Sequence, residues 1–281
     1  MPIDLHLHST HSDGTLTPAE LVSEAKRLGL SAVALTDHNT VSGLPEFLQE
    51  AGRRGITAVA GTELSTVYHG HELHLLGLFI PTEAFPAVTA LTEDYLARKE
   101  QSNRDLVARL TAGGYPLDYA EVERRNPGGN INRALIAKEM MAEGYVGSVK
   151  EAFDTLLGEG MGYYTPPTRP DFFETIGFLR SIRAVPVWAH PLQYMDEATV
   201  RSVLPAAVKA GLVGMEVQHS SYDDATMTRA KAIADEFGLL YSGGSDFHGA
   251  VKPDVHMGTG KGNLCIPACY FDTLRDRAQT P

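Results

Sequence analysis

The chain is poor in cysteine and in positive charge, and it has no long apolar run. Its two cysteines, Cys265 and Cys269, cannot form a disulfide framework, and two thiols alone cannot close a structural zinc site. They read as small buried residues near the C-terminal strand. No apolar stretch approaches the roughly 20 residues needed to cross a bilayer. The opening Met1-Pro2-Ile3-Asp4-Leu5-His6 has neither the basic start nor the apolar core of an export signal. A cytoplasmic protein with no membrane partner is therefore expected. Lysine and arginine number 24 against 35 aspartates and glutamates, a formal net charge of −11. Such a surface repels nucleic acid unless a local positive centre intervenes. Bound cations would supply that centre, and the acids that hold them would account for part of the excess.

What is present is a strand–helix rhythm. Ile3–Leu7, Ala32–Leu35 and Thr57–Ala60 read as strands. Between them lie helices beginning at Thr17-Pro18-Ala19-Glu20, a capping-box start, and spanning 42–52. A fourth strand is expected over 72–79. From 82 to 165 the pattern turns helical, with candidates at 85–112, 131–142 and 149–157, and reads as an insertion domain. Pro166-Pro167 marks the return. The rhythm then resumes with strands at 185–189, 213–217 and 239–243. The chain thus divides into a barrel domain, 1–81 with 166–281, and a helical insertion, 82–165. About seven strands in mostly βα units is one short of a regular eightfold barrel.

Ligand-type residues fall at the strand ends. His6 and His8 are two apart, so alternation puts both on one face of the first strand. Asp13 lies in the next loop, Asp37 and His38 end the second strand, and Glu63 ends the third. His74 lies on the fourth, His190 ends the strand after the insertion, and Asp246 and His248 follow the last. In a barrel these positions share one rim. A single histidine at a strand end is usually structural; six on or just past strands call for a common cause. Imidazoles and carboxylates without thiolate suit Zn²⁺, Mn²⁺ or Fe²⁺. With Asp37 set aside, nine candidates imply two or three divalent cations. Such clusters clamp phosphoryl oxygens and lower the pKa of water. His11, His69, His71 and His256 fall outside the pattern and read as ordinary surface or structural residues.

The runs Asp4-Leu5-His6-Leu7-His8-Ser9 with Ser12-Asp13-Gly14, Thr36-Asp37-His38-Asn39, Gly61-Thr62-Glu63, Ala189-His190-Pro191 and Gly244-Ser245-Asp246-Phe247-His248-Gly249 resemble, in order, the motifs of the PHP (polymerase and histidinol phosphatase) domain family. The resemblance covers nearly the whole chain. It implies an α/β fold, a distorted (βα)₇ barrel with a helical insertion. It also implies a ligand partition: His6, His8, Glu63 and Asp246 on one cation; Asp13, His38 and His248 on a second; Glu63, His74 and His190 on a third, with Glu63 bridging. Asp37 is then a supporting residue that orients a ligand or holds a loop. Asp13, where some relatives carry histidine, resembles the trinuclear phosphoesterase branch.

The insert segments Ala134–Lys138, Glu143-Gly144-Tyr145-Val146 and Leu157-Gly158-Glu159-Gly160 resemble nucleotide-directed members. The implied activity is removal of the 3′-phosphate of nucleoside 3′,5′-bisphosphates by a metal-bridging hydroxide, a manganese- or zinc-type phosphatase reaction. The alternatives are 5′-3′ exonuclease or phosphodiesterase action on short 5′-phosphorylated RNA, and a histidinol-phosphate-type phosphatase. A non-enzymatic metal-stabilised module would show gaps in the ligand set, and none is found. Glu63, Asp246 and His219 are the candidate catalytic residues, His219 as proton donor to the leaving oxygen. Arg98, Arg104 and Arg133 on the insert are the candidate substrate-binding residues, since guanidinium binds phosphate bidentately. Two departures from the branch fall where substrate is held: Asn132-Arg133-Ala134-Leu135 replaces a Gly-Arg-Pro-His run, and Tyr222 stands in place of a second histidine after His219. From 82 to 164 there are nine basic and thirteen acidic residues, which argues for a small phosphorylated substrate over a long nucleic acid. Gly258-Thr259-Gly260-Lys261-Gly262 lacks the spacing and following helix of a phosphate-binding P-loop.

Overall fold

The first strand, β1 (Ile3–Leu7), is buried along its whole length. Ile3, Leu5 and Leu7 share one face and Asp4 and His6 the other. This is the pattern of a strand covered on both sides. The computed structural model describes residues 2–126 and 131–279. Helix α1 (Pro18–Arg27) starts on the expected capping box: Thr17 accepts from the Glu20 N–H, and Glu20 accepts from the Thr17 N–H at 2.8 Å. Strand β2 (Ala32–Leu35) and helix α2 (Leu44–Arg54) follow, the helix stopping at Gly55 in the left-handed conformation. Strands β1, β2 and β3 (Thr57–Tyr68) pair in parallel.

Strand β3 runs eight residues past the expected end and folds back through His69-Gly70 into β4 (His71–Leu78). Strand β4 is antiparallel to β3 and also to β5, and this reversal distorts the barrel. Glu63 therefore sits within a strand and not at its end. Ser65 pairs with His74 across the hairpin.

The chain forms two compact units, Met1–Thr89 with Pro170–Pro281, and Ala90–Arg169. Helix α3 (Phe85–Ala112) enters the second unit, which also holds α4 (Tyr119–Arg125), α5 (Arg133–Ala142) and the short α6 (Val149–Ala152). Leu106, Leu110, Val122, Ile136, Met140 and Leu157 form its core. Helix α4 was not expected from the sequence. The 149–157 segment is helical only to Ala152 and continues as a wider π-turn over Phe153–Leu157.

In the first unit the chain continues with α7 (Phe172–Ser181), β5 (Val185–Trp188), α8 (Glu197–Ala210), β6 (Gly214–His219), α9 (Asp224–Glu236), β7 (Leu240–Gly244) and α10 (Ala268–Ala278). The sheet order is β1 to β7 in sequence. A parallel bridge from Leu7 to Phe247 brings the ends together, so the sheet is a nearly closed seven-stranded barrel. The two cysteines are exposed, which corrects the expectation of burial. Leu264 and Ile266 alternate inward along an extended run, with Ile266 accepting from the Ile3 N–H, and this turns Cys265 outward. Cys269 lies on the outer face of α10. Among the described residues no helix is long and apolar enough to cross a membrane.

Candidate metal centre and active site

The centre of the site is one carboxylate. Glu63 is fully buried, and five imidazoles surround it. Its Oε1 lies 2.8 Å from His74 Nδ1 and 2.9 Å from His190 Nε2. Its Oε2 lies 3.2 Å from His6 Nε2, 3.3 Å from His8 Nε2 and 3.1 Å from His38 Nδ1. Asp246 Oδ1 adds a second acid 3.2 Å from His8 Nε2. Asp13 Oδ1 stands 3.2 Å from His248 Nε2. All nine residues read from the sequence as ligands therefore gather in one place.

Donor atoms fall into three groups whose members lie within 4.8 Å of one another: His8, Asp13, His38 and His248; His6, His8, Glu63 and Asp246; and His38, Glu63 and His74. His190 is outside these groups but touches Glu63. Although they are buried, His6 Nε2, both His8 ring nitrogens and Glu63 Oε2 make no hydrogen bond of acceptable geometry among the described residues. Buried polar atoms normally find partners. Convergent lone pairs without them are what a divalent cation requires, and the mixed nitrogen–oxygen set suits one.

The backbone is bent to serve this rim. Among the described residues, Asn39, His190 and Asp246 take positive φ values of 54°, 30° and 55°. Each such residue costs on the order of 1–3 kcal/mol, and strain of this kind gathers at functional sites. Asp37 holds the loop that carries His8 and Asp13, accepting from the Ser9 N–H (2.7 Å), Ser9 Oγ (2.6 Å) and Ser12 Oγ (2.6 Å).

Supporting groups orient the imidazoles. His248 Nδ1 donates to the Asp246 carbonyl at 2.9 Å, leaving the Nε2 lone pair facing Asp13. His6 Nδ1 donates to Glu216 Oε1 at 3.1 Å, which turns Nε2 toward Glu63. Glu216 Oε2 also accepts from the His190 N–H at 2.8 Å. Glu216 lies outside the strand-end pattern that points to the ligands. Its signal was a lone acid inside the apolar run Val213–Val217, on the opposite face from Met215 and Val217. Asp4, inside Ile3–Leu7, is a similar case; it accepts from Ser245 N and Gly258 N. Lys252 lies outside that pattern too, and its Nζ is 2.6 Å from Asp246 Oδ2. Glu216→Gln removes one of two acceptors, and cation affinity should fall about 10- to 100-fold. A metal titration read beside a circular dichroism spectrum checks this; unchanged affinity would contradict the orienting role.

Charge is strongly coupled here. Burial alone would raise the Glu63 carboxyl, but the surrounding imidazoles hold it well below the usual range. Burial opposes a charged His8, yet Asp246 and Glu63 push it up to about 9. His74 is likewise pushed up to about 10 by Glu63 and Glu72 against burial. Burial wins at His38, which falls to about 3.

The three candidate arginines lie in the second unit and are engaged there. Arg98 pairs with Asp94 at 2.6 Å. Arg104 pairs with Glu100 and Glu123 and covers the Tyr119 ring. Arg133 donates to the Leu157 carbonyl and stacks on Tyr164 and Phe153. His219, at the end of β6, is in the cluster: its Nε2 is 3.5 Å from Asp246 Oδ2.

Comparisons with known proteins agree with this geometry. The family model described as PHP domain matches residues 4–159. The 5′-3′ exoribonuclease of Haemophilus influenzae is 32% identical over 246 residues, 87% of this chain and 89% of its own. The 3′,5′-nucleoside bisphosphate phosphatase of Chromobacterium violaceum is 34% identical over 252 residues, 88% and 87% of the two chains. A solved Bifidobacterium adolescentis structure, provisionally described as a metal-dependent phosphoesterase, superposes with a TM-score of 0.84 at 27% identity and covers 99% of this chain and 98% of that one. The chain belongs to the PHP domain family. Within it, the protein is a metal-dependent hydrolase of phosphate esters.

Proposed function

We propose that the protein removes the 3′-phosphate from nucleoside 3′,5′-bisphosphates. The observation that carries this reading is the convergence of five imidazoles on the buried Glu63 carboxylate, flanked by Asp246 and Asp13. His6, His8, Glu63 and Asp246 would hold one divalent cation, Asp13, His38 and His248 a second, and Glu63, His74 and His190 a third, with Mn²⁺, Zn²⁺ or Fe²⁺ suiting these donors. His8 belongs with the first because its Nε2 faces both Glu63 and Asp246, while its Nδ1 is 3.8 Å from Asp13. When bound, the cations supply Lewis acidity toward phosphoryl oxygens and an activated water near neutral pH.

The chain's own residues do the rest. Glu216 and the Asp246 carbonyl fix the tautomers of His6 and His248. His219 is arranged to give a proton. Ser221 Oγ lies 2.8 Å from its Nδ1 and would accept from that nitrogen in the protonated ring, so that Nε2 carries the second proton, the one given up, and the ring is left neutral. That Nε2 is buried 3.5 Å from Asp246 Oδ2, with no hydrogen bond of acceptable geometry among the described residues. It is free to meet the leaving oxygen. His219→Ala should lower kcat about 100-fold on a nucleotide 3′-phosphate but far less on p-nitrophenyl phosphate, whose leaving group needs no proton. Equal losses on both would rule out proton donation.

The similarity to an exoribonuclease supports a second reading, trimming of short 5′-phosphorylated RNA. Cation-loaded protein assayed on both substrate classes separates the two. Phosphate release from bisphosphates is expected; turnover of oligonucleotides alone would replace the first reading with the second.

A further inference from the structure

A cavity of about 370 Å³ opens beside the cluster, sharing Asp246 and His219 with it. Ser220, Ser221, Lys252, Asp254 and Lys261 complete the part of its wall that bears charge or hydroxyl groups. We infer that this cavity is a subsite for a second phosphoryl group of the substrate, with Lys261 as its principal donor. The inference deepens the proposed activity and rests on it for the position of the first phosphoryl group.

The loop that carries Lys261 is built to fix it in place. It is the glycine-rich run Gly258-Thr259-Gly260-Lys261-Gly262, which is no P-loop. Gly258, Gly260 and Gly262 all lie in the left-handed region, at φ values of 78°, 58° and 86°. A side chain at Gly260 would meet Asn263 and Leu264 at 2.8 Å. Backbone bonds close the loop on itself: the His256 N–H donates to Gly260 O at 2.8 Å, and the Gly262 N–H to Thr259 O at 2.9 Å. Asn263 then ties it to the turn after β6. Its Nδ2 donates to the Tyr222 carbonyl at 2.8 Å, and its Oδ1 accepts from the Lys261 N–H at 3.0 Å. The turn so tethered is the one that bears His219 and Ser221. The Lys261 backbone is thereby set at a defined place relative to the proton donor, and its exposed side chain springs from the cavity wall.

Charge supports the assignment. In a chain of net charge −11, two lysines lining one cavity next to the cluster, against Asp246 and Asp254, is a local concentration of positive charge. Lys252 is committed to Asp246. Lys261 forms no ion pair among the described residues. Asp254 is the cavity's other acid, so the positive face is narrow and suits one compact anion rather than a polyanion's length. The volume is of the order that holds part of a small ligand.

The test is a comparison of two substrates on Lys261→Ala and Lys261→Arg proteins loaded with Mn²⁺. Steady-state kinetics with adenosine 3′,5′-bisphosphate and with adenosine 3′-monophosphate give the preference for the doubly phosphorylated substrate. In Lys261→Ala this preference should fall about 10- to 100-fold, through KM more than kcat, and Lys261→Arg should restore part of it. An unchanged preference, or the same loss on both substrates, would overturn the subsite. If the wild type turns over neither substrate, the proposed function has failed, and the subsite is then judged by binding alone. Calorimetry with adenosine 3′,5′-bisphosphate should show weaker binding to Lys261→Ala than to wild type; equal affinities would overturn it.

Discussion

Glu63→Gln should lower kcat/KM on phosphomonoesters by about 1,000-fold or more, because one neutralised carboxylate removes the common partner of five imidazoles. Glutamine keeps the shape of glutamate but not its charge, and its amide NH₂ would face ring nitrogens that need to present lone pairs. Two of the three proposed cation positions use Glu63, so both should empty. The change should also be felt without substrate. Removing one member of a buried charged network costs about 3–5 kcal/mol when the remaining charges are left uncompensated. The comparison to make is Glu63→Gln against Glu72→Gln. Glu72 contacts His74 Nε2 at 3.3 Å but lies a third exposed at the edge of the cluster. Activity, bound metal and thermal unfolding are measured on both. Glu63→Gln with near-normal activity would contradict the central place given to this residue.

Stripping the protein with a chelator should abolish activity, by about 1,000-fold or more, and adding Mn²⁺ or Zn²⁺ should restore it. The pH dependence of that restoration has a definite sign. Without cations, His8 and His74 are held up at about 9 and about 10 by the neighbouring carboxylates, against the effect of burial. At pH 7 both rings therefore carry a proton. A cation binds only the neutral ring, so binding expels protons. Apparent affinity must rise with pH, by up to about tenfold per unit for each proton released, until the pH passes those values. His38, lowered to about 3 by burial, is already neutral and contributes no proton. Calorimetric titration of stripped protein at pH 7, in two buffers of different ionisation enthalpy, should show release of more than one proton per chain. No release, or affinity that falls as pH rises from 6 to 8, would contradict this account.

Much of the site was legible because strand alternation and barrel geometry act together. His6 and His8 had to share a face of β1, and residues just past parallel strands had to share a rim. That brought Asp13, His38, His190, Asp246 and His248 to one place without knowledge of any contact. What alternation does not carry is direction. Nothing in the pattern of Glu72–Phe79 says that this strand runs against its neighbours, and the reversal at His69-Gly70 is a two-residue event. As a result β3 was expected to stop short, with Glu63 at its tip instead of inside a long hairpin.

Supporting residues were harder to read for a different reason. Glu216 and Asp4 each sit alone in an apolar strand, and their meaning lies in partners more than 200 residues away, His6 for the one and Ser245 and Gly258 for the other. The insert arginines are read from residue type alone. Arg98, Arg104 and Arg133 suggested anion binding by residue type, while the structure shows each already paired or stacked within its own unit. Lys252 and Lys261 carry a weaker signal, since a surface lysine is common and the glycine-rich run around Lys261 lacks P-loop spacing. Only the fold places them beside Asp246 and His219.

The most direct test of the central claim is elemental analysis of active, extensively dialysed protein, correlated with activity across partial metal loading. The account predicts two or three equivalents of divalent transition metal per chain, activity that rises with occupancy, and a clear loss of bound metal in Glu63→Gln. Full phosphoesterase activity in protein carrying less than about one-tenth of an equivalent of any divalent metal would contradict it.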